Sequence, residues 1–118
     1  MGSRPHYQLD AWRESITLVK QVYELTKSFP PEELYGLTNQ IRRAAVSIPS
    51  NIAEGAARNG SKEFAQFLGI AKGSLSELET QLVIGRELGY LQAGNGIFAQ
   101  HDLVSKLVSG LHRHITRQ

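Results

Sequence analysis

The sequence of 118 residues contains no cysteine and no long apolar run. The absence of cysteine excludes disulfide frameworks, cysteine nucleophiles and thiolate-bound zinc or iron–sulfur sites. Apolar runs such as Leu82-Val83-Ile84 are too short to cross about 30 Å of hydrocarbon, so we expect no membrane association. Because the sequence also shows no apolar leader, the expected location is the cytoplasm.

An excess of charge of one sign is missing as well. Thirteen lysines and arginines against eleven acidic residues give a net charge of +2, which is too small to indicate an anionic partner by itself. The length suits one domain, and the apolar fraction of 41% is enough for a folded core. We therefore predict a single domain over residues 1–118, with residues 1–7 disordered and Met1-Gly2-Ser3 left over from cloning.

Strand-like alternation of apolar and polar residues is absent, whereas four segments carry apolar residues at alternating three- and four-residue steps. This spacing lines one face of an α-helix. We predict an all-α fold, an antiparallel up-down-up-down four-helix bundle, with three helices and a loose fourth as the alternative. The first helix has two such rows, a main row of Leu9, Trp12, Ile16, Val19 and Tyr23, and a second row of Leu18, Val22, Leu25 and Phe29.

Prolines mark the second helix. It is predicted to begin at Pro31, after a Phe-Pro-Pro run that ends the first helix. Pro49 lies inside its apolar row and clashes with the carbonyl of Ala45, so we predict a kink; the apolar spacing continues through Ile52, which argues against a break. The other predicted boundaries are a third helix over residues 62–88, its N-cap Ser61, Gly89 after its end, and Asn95 as the cap of the fourth helix.

The apolar rows are wider than one small bundle needs. Besides the second row of the first helix, the third helix has extra apolar residues beside its main row, namely Phe67, Ile70, Ile84 and Leu88. A surplus apolar face favours self-association. The alternative is that these residues widen the core of a monomer.

Polar residues form a row on the second helix and interrupt an apolar row on the third. If the two rows face each other, their side chains can neutralise and hydrogen-bond one another. We predict a structural polar network, with a solvated helix flank and a ligand site as the alternatives. The predicted members are Arg43, Ser47, Asn51, Glu54, Ser74, Glu77 and Gln81.

Signatures of enzymes are largely missing. No glutamate has a histidine three residues later, as di-iron bundles require, and no nucleophile-elbow motif occurs. We interpret Gly69 and Gly73, with Ala65, as a site of close helix packing, because their mid-helix position does not suit a phosphate-binding loop. We predict no catalytic residue, no metal site and no cofactor.

Two chemical alternatives stay open. The histidines of the fourth helix, His101, His112 and His114, are interpreted as titrating surface residues, and haem or zinc ligation is the less favoured interpretation. A carboxylate-metal-dependent nucleotide phosphohydrolase using Glu54, Glu77 and Glu79 is the alternative to a non-catalytic protein.

Basic residues occur around the predicted turn between the second and third helices and on the fourth helix. Nucleic-acid binding requires such residues, because they displace counterions from phosphates. The alternative is that they are ordinary solvated charges, and oligomerisation would repeat any basic patch by symmetry. The candidate nucleic-acid-binding residues are Arg42, Arg58, Lys62, Lys106, Arg113 and Arg117.

Four segments together resemble a known family. Residues 29–38 read Phe-Pro-Pro-Glu-Glu-Leu-Tyr-Gly-Leu-Thr, and residues 47–55 read Ser-Ile-Pro-Ser-Asn-Ile-Ala-Glu-Gly. They are followed by Glu-Phe-Ala-Gln-Phe-Leu at 63–68 and Ala-Lys-Gly-Ser-Leu-Ser-Glu-Leu-Glu at 71–79. Over residues 8–92 the chain resembles the bacterial four helix bundle proteins encoded by intervening sequences in 23S rRNA genes.

The resemblance implies a four-helix bundle that assembles into a ring-like homopentamer. It also implies similarity to the accessory protein of diversity-generating retroelements, which binds the reverse transcriptase and nucleic acid through a basic surface. We therefore expect a non-catalytic homo-oligomeric scaffold that binds RNA, DNA or a nucleic-acid-processing protein. The residues that fall on the motif positions of the family are Arg42, Arg43, Asn51, Glu54, Arg58, Ser74 and Glu77.

Overall fold

The computed structural model describes residues 4–92 and 96–118. Over these residues it contains helices and no strand, which confirms the all-α prediction. Met1-Gly2-Ser3 and the predicted cap Asn95 lie outside the described residues. The four helices are α1 (Asp10–Thr26), α2 (Leu37–Ala56), α3 (Ser61–Glu87) and α4 (Ile97–Thr116), and short 3-10 turns at Pro5–Gln8 and Pro31–Glu33 precede α1 and α2.

Each helix packs against two others, because α1 and α3 both contact α2 and α4. This closed arrangement is a four-helix bundle, so the fourth helix is not loose. The antiparallel order stays a prediction, and two contacts agree with it. Ser47 Oγ lies 2.8 Å from Ser74 Oγ in the middle of α2 and α3, and Ser61 at the start of α3 donates to Gln118 after the end of α4.

The second apolar row of α1 is buried more deeply than the main row, of which Leu9, Trp12 and Val19 pack only at the edge of the core. Leu18, Val22 and Phe29 are buried, whereas Ile16 and Tyr23 remain exposed. The sequence interpretation had the two rows in the reverse roles. The small side chains of Ala11 and Ser15 are buried on the same face as Leu18, and small residues allow the start of α1 to approach its neighbours closely. The outward row is the main apolar surface left on α1.

The helix ends differ from the predicted ones in two places. α2 begins at Leu37, because Pro31–Glu33 form a separate 3-10 turn and the Glu33 carboxylate accepts the Leu37 N–H at 3.1 Å. Ser61 was predicted to be an N-cap, which is wrong: the residue before α3 is Gly60, and the Ser61 hydroxyl bonds Gln118 instead.

The end of α3 agrees with the prediction. Gly89 has a φ of +81°, which favours glycine because it lacks a Cβ. Its N–H donates to Arg86 O, and the Tyr90 N–H donates to Gly85 O at 2.8 Å. These two bonds are those of a Schellman motif, which satisfies the last carbonyls of a helix.

Pro49 lies inside α2 and is buried, and the helix continues to Ala56 on its C-terminal side. The helix therefore does not break at the proline. The kink expected there stays a prediction.

Gly55 of α2 is a position where α3 lies very close to the α2 backbone. A Cβ built on Gly55 would lie 2.9 Å from Phe64 Cδ1 and 2.9 Å from Phe67 Cβ, both on α3. Gly69 and Gly73 have no heavy atom within 4 Å of the same position, so their interpretation as a close-packing site is wrong. Both are exposed on the outer side of α3.

These two environments predict opposite effects of the same substitution. Gly55→Ala should destabilise the fold by about 1–2 kcal/mol, because overpacking costs about 1–3 kcal/mol and alanine returns at most about 1 kcal/mol of helix propensity. Gly69→Ala, the matched control, should stabilise it by about 0.5–1 kcal/mol. Urea unfolding at one protein concentration measures both, and a Gly55→Ala variant as stable as Gly69→Ala contradicts the assigned close contact.

Candidate functional site

An apolar groove runs along the outside of α1 and α2. Two adjoining cavities of about 340 and 460 Å³ form it, and Val46 lines both. Ile16 and Val46 are 36% and 40% exposed, although both lie among apolar neighbours. We call this surface the outer groove, and its apolar lining residues are Trp12, Ile16, Val19, Tyr23, Val46, Pro49 and Ala53. Its larger cavity is also lined by the polar residues Asn39, Arg42, Arg43 and Ser47.

Arg42 lies across one end of the outer groove. Its Nε donates to Thr26 Oγ1 at 2.8 Å, and its guanidinium lies 4.7 Å from the ring centre of Tyr23. Thr26 is buried on α1, so these contacts fasten α2 to α1. This candidate nucleic-acid-binding residue therefore has a bound, partly buried side chain.

Three of the seven predicted network residues form one hydrogen-bonded cluster between α2 and α3. The hydroxyls of Ser47 and Ser74 lie 2.8 Å apart. Asn51 Nδ2 donates to the backbone carbonyl of Ser47 at 2.8 Å and to its hydroxyl at 3.0 Å. The cluster contains no charged side chain, and it links the two helices through neutral groups.

The charged members lie elsewhere. Glu54 pairs with Arg58 at 3.0 Å, one helical turn away on α2, and both side chains are half exposed. Arg43, Glu77 and Gln81 line a shallow cavity of about 240 Å³ beside the neutral cluster. The structure thus divides the seven residues among a neutral cluster, an ion pair and a cavity lining.

Four candidate basic residues come together at one end of the bundle. The bond of 3.2 Å between Ser61 Oγ and Gln118 Oε1 brings the turn after α2 next to the end of α4. We call this region the basic end, and it carries exposed Arg58, Lys62, Arg113 and Arg117. Lys106 lies about 10 Å further along α4, and Arg42 belongs to the outer groove.

Arg58 is the most constrained residue of the basic end. Its guanidinium pairs with Glu54 and lies 3.9 Å from the Glu63 carboxylate. It also lies 4.9 Å from the ring centre of Phe67. The remaining cations of this end are consequently the ones most available to a phosphate.

The other end of α2 is acidic. Here the Tyr90 hydroxyl donates to Glu33 Oε2 at 3.1 Å, which joins the turn before α2 to the residues after α3. This hydrogen bond to a carboxylate raises the pKa of Tyr90 above its ordinary value, because the phenolate would face negative charge. The acidic residues of this end are Glu24, Glu32, Glu33 and Glu87. Two of them pair with cations of the same end, Glu24 with Lys27 and Glu87 with Arg86.

A cavity of about 300 Å³ opens between α3 and α4. His101 lines it and is only 4% exposed, so the interpretation of this histidine as a titrating surface residue is wrong. The side chain is buried because His101 continues the apolar row of Ile97 and Val104 on α4. Glu79 and Asp102 line the same cavity.

A family model described as 23S rRNA-intervening sequence protein matches residues 7–110. The chain belongs to this family. The four helices described above are consistent with a family of four-helix bundles. A search of curated proteins finds no match.

Within the part of this family member that the structure describes, no helix is long and apolar enough to cross a membrane. The motif segment 47–55 of the 23S rRNA-intervening sequence protein lies on α2 and includes the neutral cluster residues Ser47 and Asn51. It ends on Gly55, where a Cβ would lie 2.9 Å from atoms of Phe64 and Phe67 on α3.

The three carboxylates of the phosphohydrolase alternative do not share a site in this family member. Glu54 pairs with Arg58, Glu77 lines the cavity beside Arg43, and Glu79 lines the cavity between α3 and α4. Glu77 and Glu79 are two residues apart on one helix, so they point about 200° apart.

Proposed function

We propose that this 23S rRNA-intervening sequence protein is a non-catalytic scaffold that works as a homo-oligomer, with five copies favoured by the family resemblance. The outer groove is the observation that carries the proposal. It combines exposed Ile16, Tyr23 and Val46 on two helices that already fill the core with other residues. Contiguous apolar surface of this kind is typical of protein interfaces.

Exposed apolar residues on α3 support a ring. Ile84 and Leu88 lie one turn apart and are 44% and 54% exposed, and Ile70, 51% exposed, lies about 21 Å away along the helix, beyond the polar centre of the row. They lie on a helix that takes no part in the outer groove. Two different apolar surfaces on one chain suit a head-to-tail interface, which generates a closed ring when its rotation closes.

Val46→Glu tests self-association through the outer groove. We expect the wild-type chain to have a mass near 66 kDa, five times 13.1 kDa, and the variant to dissociate, because a buried unpaired carboxylate is costly. Leu103→Glu on α4 is the matched control, since Leu103 and Val46 are both 40% exposed. Light scattering after size exclusion measures the masses, and circular dichroism verifies that both variants keep their helices.

A monomeric wild-type chain at about 100 μM would overturn the oligomer proposal. An unchanged mass of Val46→Glu would overturn the assignment of the interface to the outer groove.

We further propose that the basic end binds RNA or DNA. Lys62, Arg113 and Arg117 are exposed there with no ion pair among the described residues. The net charge of +2 does not reveal this concentration of positive charge, because the acidic residues at the other end of the bundle offset it. Assembly would bring several basic ends to one nucleic-acid strand and strengthen weak binding.

The double variant Arg113→Gln, Arg117→Gln tests this second proposal. It should weaken binding at low salt and reduce the slope of log affinity against log salt by about 1–2, because it removes up to two phosphate contacts. Lys27→Gln, Arg86→Gln is the matched control: it removes the same charge from the acidic end.

Fluorescence anisotropy with single- and double-stranded RNA and DNA gives both quantities. Equal losses of affinity in the two double variants would show that only the net charge of the chain matters. No binding of nucleic acid by the wild-type chain at low salt would overturn the proposal. Neither result bears on the oligomeric state.

A further inference from the structure

The cavity between α3 and α4 contains a buried imidazole nitrogen with a free lone pair. His101 Nε2 lies 2.7 Å from the backbone oxygen of Leu75. A carbonyl oxygen can only accept, so Nε2 carries the hydrogen, and in the neutral ring Nδ1 is then an acceptor. Nδ1 is fully buried and has no hydrogen-bond partner among the described residues.

An unpaired buried acceptor is costly, so this nitrogen calls for a partner. Two carboxylates lie near the imidazole ring of His101 and cannot supply a proton while ionised. Asp102 Oδ1 is 4.0 Å from Nδ1, beyond hydrogen-bond distance. One ligand atom each from Glu79, His101 and Asp102 lies within 4.8 Å of the other two. The partner that suits a lone pair and two carboxylates together is a cation.

We propose that Glu79, His101 and Asp102 bind a divalent transition-metal ion of the zinc type, which bridges α3 and α4. An imidazole nitrogen with carboxylate oxygens favours zinc and similar ions, whereas magnesium and calcium prefer oxygen ligands alone. Leu75 supplies the outer interaction that metal-bound histidines generally make, a backbone carbonyl that holds the ring in one tautomer and orientation.

The three ligand atoms can be farther apart here than they would be around a bound zinc ion. Tetrahedral ligand atoms about 2.0 Å from zinc lie about 3.3 Å apart, somewhat closer than the limit of 4.8 Å found here. His101 is fixed by burial and by its bond to Leu75, but Glu79 and Asp102 are exposed. Glu79 and Asp102 are therefore the side chains that would rotate to reach the ion.

The cavity also has room for water on the ion. Its volume of about 300 Å³ and the hydroxyls of Ser76 and Ser105 on its wall suit a coordination sphere completed by solvent. Lys72 lines the same cavity, and its positive charge disfavours a cation there. Its Nζ lies 3.5 Å from His112 Nδ1. Lys72→Gln should consequently raise the affinity for the metal.

Glu79→Gln and Asp102→Asn are the first test, because both residues are exposed and neither substitution disturbs the core. Calorimetric titration of the chelator-treated chain with Zn²⁺ should give one site per chain, and each variant should weaken it at least about tenfold, because even the loss of an outer-shell partner typically costs about 10- to 100-fold in affinity. Glu77→Gln, an exposed glutamate of the same helix, is the matched control. His114→Gln controls for exposed histidines, and both controls should bind as the wild type does.

His101→Gln tests the nitrogen itself. The glutamine amide can still donate to Leu75 O, while the lone pair of Nδ1 is lost, so the variant should fold and bind Zn²⁺ weakly. Titration with Co²⁺ gives a second readout, because a nitrogen and oxygen ligand set of low coordination number produces visible absorption that the three ligand variants should lose.

Two results would overturn the metal site. One is a wild-type chain with no Zn²⁺ affinity tighter than about 100 μM. The other is equal binding by the wild type, Glu79→Gln and Asp102→Asn, which would assign the ion to surface histidines.

Discussion

The close packing of α2 on α3 at Gly55 determines the register of these two helices. Two sites depend on this register, the neutral cluster between α2 and α3 and the cavity lined by His101. Because Gly55 has no side chain, Phe64 and the Cβ of Phe67 lie against the α2 backbone. This contact sets the register that brings Ser47 to Ser74 about two turns further along. The next residue, Leu75, then presents its carbonyl to His101 on the other side of α3. The register of α3 against α2 therefore also determines how α3 meets α4.

Polar atoms in this bundle are arranged according to how deeply they are buried. Between α2 and α3 the inner positions are neutral hydroxyl and amide groups, which are cheap to bury when they bond one another. Charged side chains such as Glu54 and Arg58 are half exposed and pair at the surface, where an ion pair is worth at most about 1 kcal/mol. Three buried side-chain atoms of the described residues have no hydrogen-bond partner, Gln21 Oε1, Gln81 Oε1 and His101 Nδ1. Of these three residues, only His101 lies beside two carboxylates, which is why its nitrogen indicates a ligand.

The helices could be predicted from the sequence because each keeps its apolar spacing over several turns. Which row of α1 enters the core could not, since both rows have the same periodicity, and the decisive residues are the small Ala11 and Ser15. Spacing likewise could not distinguish Gly55, which contacts α3, from Gly69, which contacts nothing. For His101 a signal was present: it continues the apolar row of Ile97, Val104 and Val108. The positions of Glu79 and Asp102 beside it required the packing of two separate helices.

The order of the helices separates the outer groove, the proposed oligomer interface, from the proposed metal site. α1 contacts α2 and α4, and α3 contacts the same two helices, so the outer groove on α1 and α2 and the cavity between α3 and α4 lie on opposite sides of the bundle. Assembly through the groove therefore leaves the cavity open to solvent on that side, and an ion between α3 and α4 leaves the groove unchanged. The ion proposed between α3 and α4 would strengthen the attachment of α4, whose C-terminal turn supplies Arg113 and Arg117 to the basic end. The proposed metal site and the proposed nucleic-acid surface therefore share α4, while the proposed oligomer interface uses the outer groove on α1 and α2 together with the exposed apolar residues of α3.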